Sequence, residues 1–196
     1  FPSVLNDLKS GLLYVAGNRY LIILMGLSLF VSFFLRSYQN LLAGFAEELF
    51  QLDEQGLGTL FAAKGIGALL VALFFAGRGK TKGLAKVCVF GGGITGVVLI
   101  VFVSSSFLPL VLLTSAVLGG AVVATDLSII TLIQNVVDDR FRARVISIAL
   151  AIAVGMPAIG SLAIGFLSEF FGFQLAMVLS ATLAFFAILF FGFKII

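Results

Sequence analysis

Lys64 and Asp126 each sit in the middle of an otherwise apolar stretch, and Arg36 lies near the end of another. An ionisable side chain at bilayer depth costs about 2.5 to 3.5 kcal/mol even on insertion scales. Such groups persist where they face water or one another inside a bundle, so they mark a pathway for a solute or an ion. At 1.5 Å per helical residue, Lys64 lies roughly 21 Å from Arg78 and Asp126 roughly 18 Å from Asp138. If Arg78 and Asp138 mark one membrane edge, the two charges reach similar height near the midplane, where carriers build their sites. A Lys64–Asp126 pair would then neutralise both, and protonating Asp126 would release Lys64 and change which helix arrangement is favoured. The plain alternative is a pair that only fixes helix register.

A second polar feature surrounds Arg36. Ser28, Ser32, Arg36 and Asn40 recur every four residues with Gln39 beside them, which places them on one helical stripe. Hydroxyl, guanidinium and amide groups so aligned could line an aqueous cavity and hold an anionic or polar substrate. Alternatively, Arg36, roughly 25 Å along the helix from Arg19, snorkels to the outer headgroups. On the stretch that holds Asp126, Ser128, Thr131 and Asn135 fall on the opposite side, where Ser128 and Thr131 are expected to bond their own helix carbonyls or a neighbour. Gly155, Pro157 and Gly160 predict a bend with close packing, since proline removes a helical hydrogen bond and glycine admits a neighbour.

These residues are carried by a chain built for lipid. Of 196 residues, 61% are hydrophobic and only 11% charged, and the mean hydropathy is +1.24, far from a soluble domain. Six stretches, 20–44, 56–77, 84–104, 107–135, 145–167 and 174–193, are long enough to cross about 30 Å of hydrocarbon. The fold class expected is therefore an all-α membrane protein, a six-transmembrane-helix bundle over 19–196. Residues 1–18 precede it as a cytoplasmic linker or an amphipathic segment on the inner membrane surface, with Val4, Leu5, Leu8, Leu12 and Leu13 at helical spacing. The chain reads as part of a longer one.

Charge orients the bundle. Ten of the twelve basic residues, Lys9, Arg19, Arg78, Lys80, Lys82, Lys86, Arg140, Arg142, Arg144 and Lys194, fall on one face, and Glu47, Glu48, Asp53, Glu54 and Glu169 on the other. The positive-inside rule then makes both ends of this segment cytoplasmic. With no His and a single Cys, His or Cys metal clusters and internal disulfides are excluded, and no cofactor is implied. No basic run with interleaved aromatics suggests nucleic acid. A membrane aspartyl protease needs two carboxylates within its spans, where only Asp126 is found, and no Gly-x-Ser-x-Gly elbow occurs, so the chain does not read as an enzyme.

The stretch Phe141-Arg142-Ala143-Arg144-Val145-Ile146-Ser147 is similar to the aromatic-R-G-R-V-M-S element of bacterial efflux carriers of the major facilitator superfamily, with Ala143 in place of the usual Gly. Pro157 and Gly160 also match that branch. Gly77 to Gly83 occupies the place of the superfamily's inner-gate loop but lacks its Asp. Over essentially the whole chain, the sequence resembles the C-terminal half of such a carrier, the branch that includes macrolide and siderophore exporters. The resemblance implies half of a twelve-helix fold whose first and fourth spans line a central cavity against an N-terminal six-helix partner. Arg36 and Asp126 would then be cavity residues and Lys64 their neighbour. Arg140, Arg142 and Arg144 would lie at the inner gate, where positive-inside anchoring is the stronger term. The activity implied is proton-coupled export of small amphiphilic molecules by alternating access in a bacterial inner membrane. The other reading is a six-span scaffold or oligomeric channel.

Overall fold

Lipid offers no partner to a free peptide group, so each long apolar stretch must satisfy its backbone internally as a helix. The computed structural model describes residues 2–78 and 83–195, and those residues form helices joined by short connectors. They are α1 (Pro2–Ala16), α2 (Arg19–Phe30), the short α3 (Leu42–Gly44), α4 (Glu54–Arg78), α5 (Leu84–Ser104), α6 (Leu108–Val136), α7 (Asp139–Phe171) and α8 (Phe173–Ile195). Six helical segments among the described residues are long and apolar enough to cross a membrane: Arg19–Gln39, Glu54–Gly77, Leu84–Ser104, Leu108–Val136, Asp139–Phe171 and Phe173–Lys194. The all-α six-span bundle expected from the sequence is what forms. Lys80 and Lys82, and with them most of the loop from Gly77 to Gly83, lie outside the described residues.

The first span is not one regular helix. After α2 it widens into a π-helical turn at Val31–Leu35, where the Arg36 amide bonds the Val31 carbonyl, then tightens into a 3₁₀ turn at Arg36–Gln39. A second π turn follows at Phe45–Leu49. Each change of winding resets which side chains share a face, and single π turns in helices gather at functional sites.

Two stretches expected as connectors are helical. Arg140, Arg142 and Arg144 occupy the opening turns of α7, and Ser168 and Glu169 its last turn. The Asp139–Arg142 ion pair at 2.5 Å, spaced three apart, lies on one side of that opening turn. The chain turns into α8 through Gly172 alone, at φ +79, a backbone region that favours glycine. The α7 helix runs unbroken through Pro157.

Packing follows an internal pattern. Span two lies on span four and span five on span one; span three packs on span four and span six on span one; spans three and six pack on each other. These neighbours are preserved when the first three spans are exchanged for the last three, as in nested three-helix repeats, although span five also packs on span six with no contact of similar extent between spans two and three among the described residues. The core is apolar, with Leu24, Leu27, Leu35, Tyr38, Leu99, Phe102, Leu118 and Ile133 among its buried side chains.

The short helix α1 docks on the N-terminal end of α7. Asp7 pairs with Arg144 at 2.7 Å, and Tyr14 stacks on Phe141 at 4.4 Å between centroids. The Asp138 amide donates to the Tyr14 hydroxyl at 3.2 Å, and Leu8 with Ile148 lines a hollow at this contact.

Candidate functional site

The two helices that meet most closely, α4 and α6, do so through residues without side chains. A Cβ at Gly67 would drive into the Ala116 carbonyl, and one at Gly119 into the carbonyl of Lys64. The Ser115 hydroxyl donates across the seam to the Leu60 carbonyl at 3.0 Å. Leu60 therefore stands level with Ser115, and Lys64 with Gly119, so the helices run parallel in fixed register. Asp126 lies seven residues beyond Gly119, about 10 Å further along the bundle.

That register overturns the expected Lys64–Asp126 pair. Asp126 instead forms an ion pair with Arg36, with Nη1 to Oδ2 at 3.2 Å. The sequence count failed because Arg78 and Asp138 are not level. In the register of the seam, Arg78 falls five residues short of Asp138, so heights measured from the two were offset by about 7 Å. Arg36, in the 3₁₀ turn that ends span one, turns its long side chain to Asp126, so it does not run out to the headgroups.

The ion pair closes one side of a hollow of about 220 Å³ lined by Ser28, Arg36, Asp126, Ile129, Ile130, Leu150, Ala153 and Val154. Spans one, four and five supply its walls. The two charged side chains keep 22% and 31% of their surface exposed, so the pair faces the hollow and is not sealed in the core. Arg36 Nε is buried without a hydrogen-bond partner among the described residues, so the guanidinium is only partly satisfied by Asp126.

The four-residue stripe is divided by the changes of winding. Ser28 and Arg36 line the hollow, Ser32 is buried, and Asn40 turns toward span five, its side-chain amide donating to the Ser161 hydroxyl at 3.5 Å. Gln39 is half-buried on the same 3₁₀ turn as Arg36. Lys64 is half-buried, with its ammonium 5.9 Å from the centroid of the Tyr38 ring and 5.8 Å from that of Phe61. Thr131 donates to the Leu127 carbonyl at 2.7 Å, as expected. Ser128 does not follow it: its buried hydroxyl has no partner among the described residues.

Gly160 packs span five onto span one, where a Cβ would collide with the Phe33 carbonyl and the Ser37 hydroxyl. That hydroxyl already donates to the Phe33 carbonyl at the π turn. Gly155 faces open space. Of the arginines at the start of α7, Arg142 pairs with Asp139, Arg144 pairs with Asp7, and Arg140 stands 5.8 Å from the Phe141 ring.

Tyr38 was missed by the sequence reading. It lies in the core with no exposed surface, and its hydroxyl lacks a partner among the described residues. The available signal was its place two residues after Arg36, in a span whose other aromatic residues are mainly phenylalanine.

A six-span bundle with paired charges at membrane depth and an internal exchange symmetry is the architecture of a carrier half. The family model described as Major Facilitator Superfamily matches residues 25–195. The chain belongs to that superfamily and is a multi-pass membrane protein of the secondary-transporter class. No curated protein and no solved structure matches it significantly.

Proposed function

We propose that this chain forms the cavity-lining C-terminal half of a proton-coupled carrier that exports small amphiphilic molecules by alternating access. The observation that carries this reading is the Arg36–Asp126 ion pair, which ties span one to span four beside an open hollow. Charges at this depth are costly, and a pair that faces a hollow can be exchanged where a sealed one cannot. In the cycle, Asp126 takes up a proton, its attraction for Arg36 falls, and spans one and four are free to adopt the other arrangement. A bound solute that contacts only one arrangement shifts the same equilibrium.

Outward transport is supported by the likeness of Phe141 to Ser147 to the exporter element. The clustering of Lys9, Arg19, Lys86, Arg140, Arg142, Arg144 and Lys194 at one end supports a cytoplasmic placement of that end in a bacterial inner membrane. Spans two and five are the least covered within the bundle. They carry exposed Leu69, Leu73, Val154 and Leu162, faces suited to a second six-helix half and to lipid.

The test uses the full-length carrier in proteoliposomes with a labelled amphiphile that it exchanges. Asp126→Asn is expected to abolish accumulation driven by a pH gradient while counterflow continues. Gradient-driven accumulation at the wild-type level in Asp126→Asn would remove the proton-coupling role.

A further inference from the structure

The charges at membrane depth do not balance. Two cations, Arg36 and Lys64, face one carboxylate, Asp126, and that carboxylate is engaged by Arg36. Lys64 has no ion-pair partner among the described residues. Its surroundings are the rings of Tyr38 and Phe61, each near 6 Å from the ammonium, close to the limit of cation–π attraction. A ring face at that range offsets only part of what a desolvated ammonium loses. Lys64 cannot slide away, because its backbone carbonyl is clamped against Gly119 in the α4–α6 seam.

A second observation points to a ligand at the same level. The Tyr38 hydroxyl is fully buried and donates to nothing among the described residues, and neither does Arg36 Nε two residues earlier on the same turn. Buried donors without acceptors are uncommon in folded proteins, and each calls for an explanation such as a missing ligand. The span one turn thus offers two donors without acceptors, and span two adds an ammonium without a counter-ion.

We propose that Lys64 is the anchor of an anion subsite, and that the molecules carried bear a carboxylate or similar singly charged group. The anionic group sits at Lys64 and the apolar body lies along the half-exposed Phe61 ring. Arg36, through Nη1, still forms the exchangeable pair with Asp126, whose carboxylate belongs to a residue further along the bundle than Lys64. This assignment rests on reading the chain as half of a carrier. The competing anion is a carboxylate supplied by the other six-helix half, which would already neutralise Lys64 in the full-length protein.

Equilibrium binding separates these outcomes. The full-length protein in phosphatidylcholine nanodiscs is titrated with radiolabelled 1-naphthoate and with its uncharged methyl ester. The wild type is expected to favour the anion by about tenfold, Lys64→Gln to bring the ratio close to one, and Lys64→Arg to keep the preference and show that the fold tolerates the site's replacement. A wild type that binds the two forms alike, or a preference that survives in Lys64→Gln, overturns the subsite. The titration involves no gradient and no turnover. An anion preference at Lys64 alongside normal gradient-driven transport by Asp126→Asn would keep this subsite and discard the proton role.

Discussion

Arg36 lies seventeen residues beyond Arg19, where α2 begins, and Asp126 lies eighteen residues beyond Leu108, where α6 begins. The ion pair therefore joins nearly corresponding positions of the two three-helix repeats, one entered from the basic end and the other from the acidic end.

The first prediction concerns that pair. Removing one member leaves a charge in a poorly hydrated site, whereas removing both leaves two neutral groups. Arg36→Gln or Asp126→Asn alone is expected to cost about 2 kcal/mol, less than for a fully buried pair because the hollow admits some water. The double variant is expected to cost less than the sum of the two. Thermal unfolding of the three variants in detergent checks this, and strictly additive losses would show that the two side chains do not interact.

Six spans were legible in the sequence because each needs a long apolar run, and six helical segments of that length and composition form among the described residues. Arg140 to Arg144 read as a connector by composition, yet they open α7, with the Asp139–Arg142 pair on that turn. Arg36 and Asp126 stood out by charge alone. Their pairing did not, since helix register is set by Gly67 and Gly119 at the α4–α6 seam and not by the positions of loops. The π turn at Val31–Leu35 left no trace in hydropathy, because its residues are as apolar as those of the regular helix before them. Without it, the stripe from Ser28 to Asn40 read as one face.

The glycines of span five are expected to differ in tolerance. Gly160→Ala places a methyl group against the Phe33 carbonyl and Ser37, both fixed by the π turn. Forcing atoms into a packed seam costs about 1 to 3 kcal/mol. Gly155→Ala and Gly165→Ala meet open space and are expected to stay within about 0.5 kcal/mol of the parent. Unfolding midpoints of the three variants decide the matter, and equal effects would mean that spans one and five do not touch at Gly160.

Docking of α1 on α7 rests more on the aromatic stack than on charge. The Asp7–Arg144 pair is about half-exposed, and pairs open to solvent contribute about 0.2 to 1 kcal/mol, less at high salt. The Tyr14–Phe141 stack adds about 0.5 to 1.5 kcal/mol beyond area burial, and the Tyr14 hydroxyl accepts from the Asp138 amide. Tyr14→Ala is therefore expected to raise amide exchange in α1 by about tenfold and Asp7→Asn by much less. Equal protection in Tyr14→Ala and wild type would show that α1 is held by other contacts.

Cys88 supplies an internal reporter for all of these measurements. Its thiol is 1% exposed, on the span three face that also packs Leu99 and Phe102 into the core. A thiolate is needed for attack on a maleimide, and a thiol enclosed by apolar groups presents neither the ion nor access. Labelling of the folded protein is expected to be slow and limited by opening, and to become fast at the unfolding transition. In Gly160→Ala the rate is expected to rise exponentially with lost stability, about tenfold for each 1.4 kcal/mol, provided opening is global. A rate that is high in the folded wild type would place Cys88 on an accessible surface and contradict the packing of span three against spans four and six.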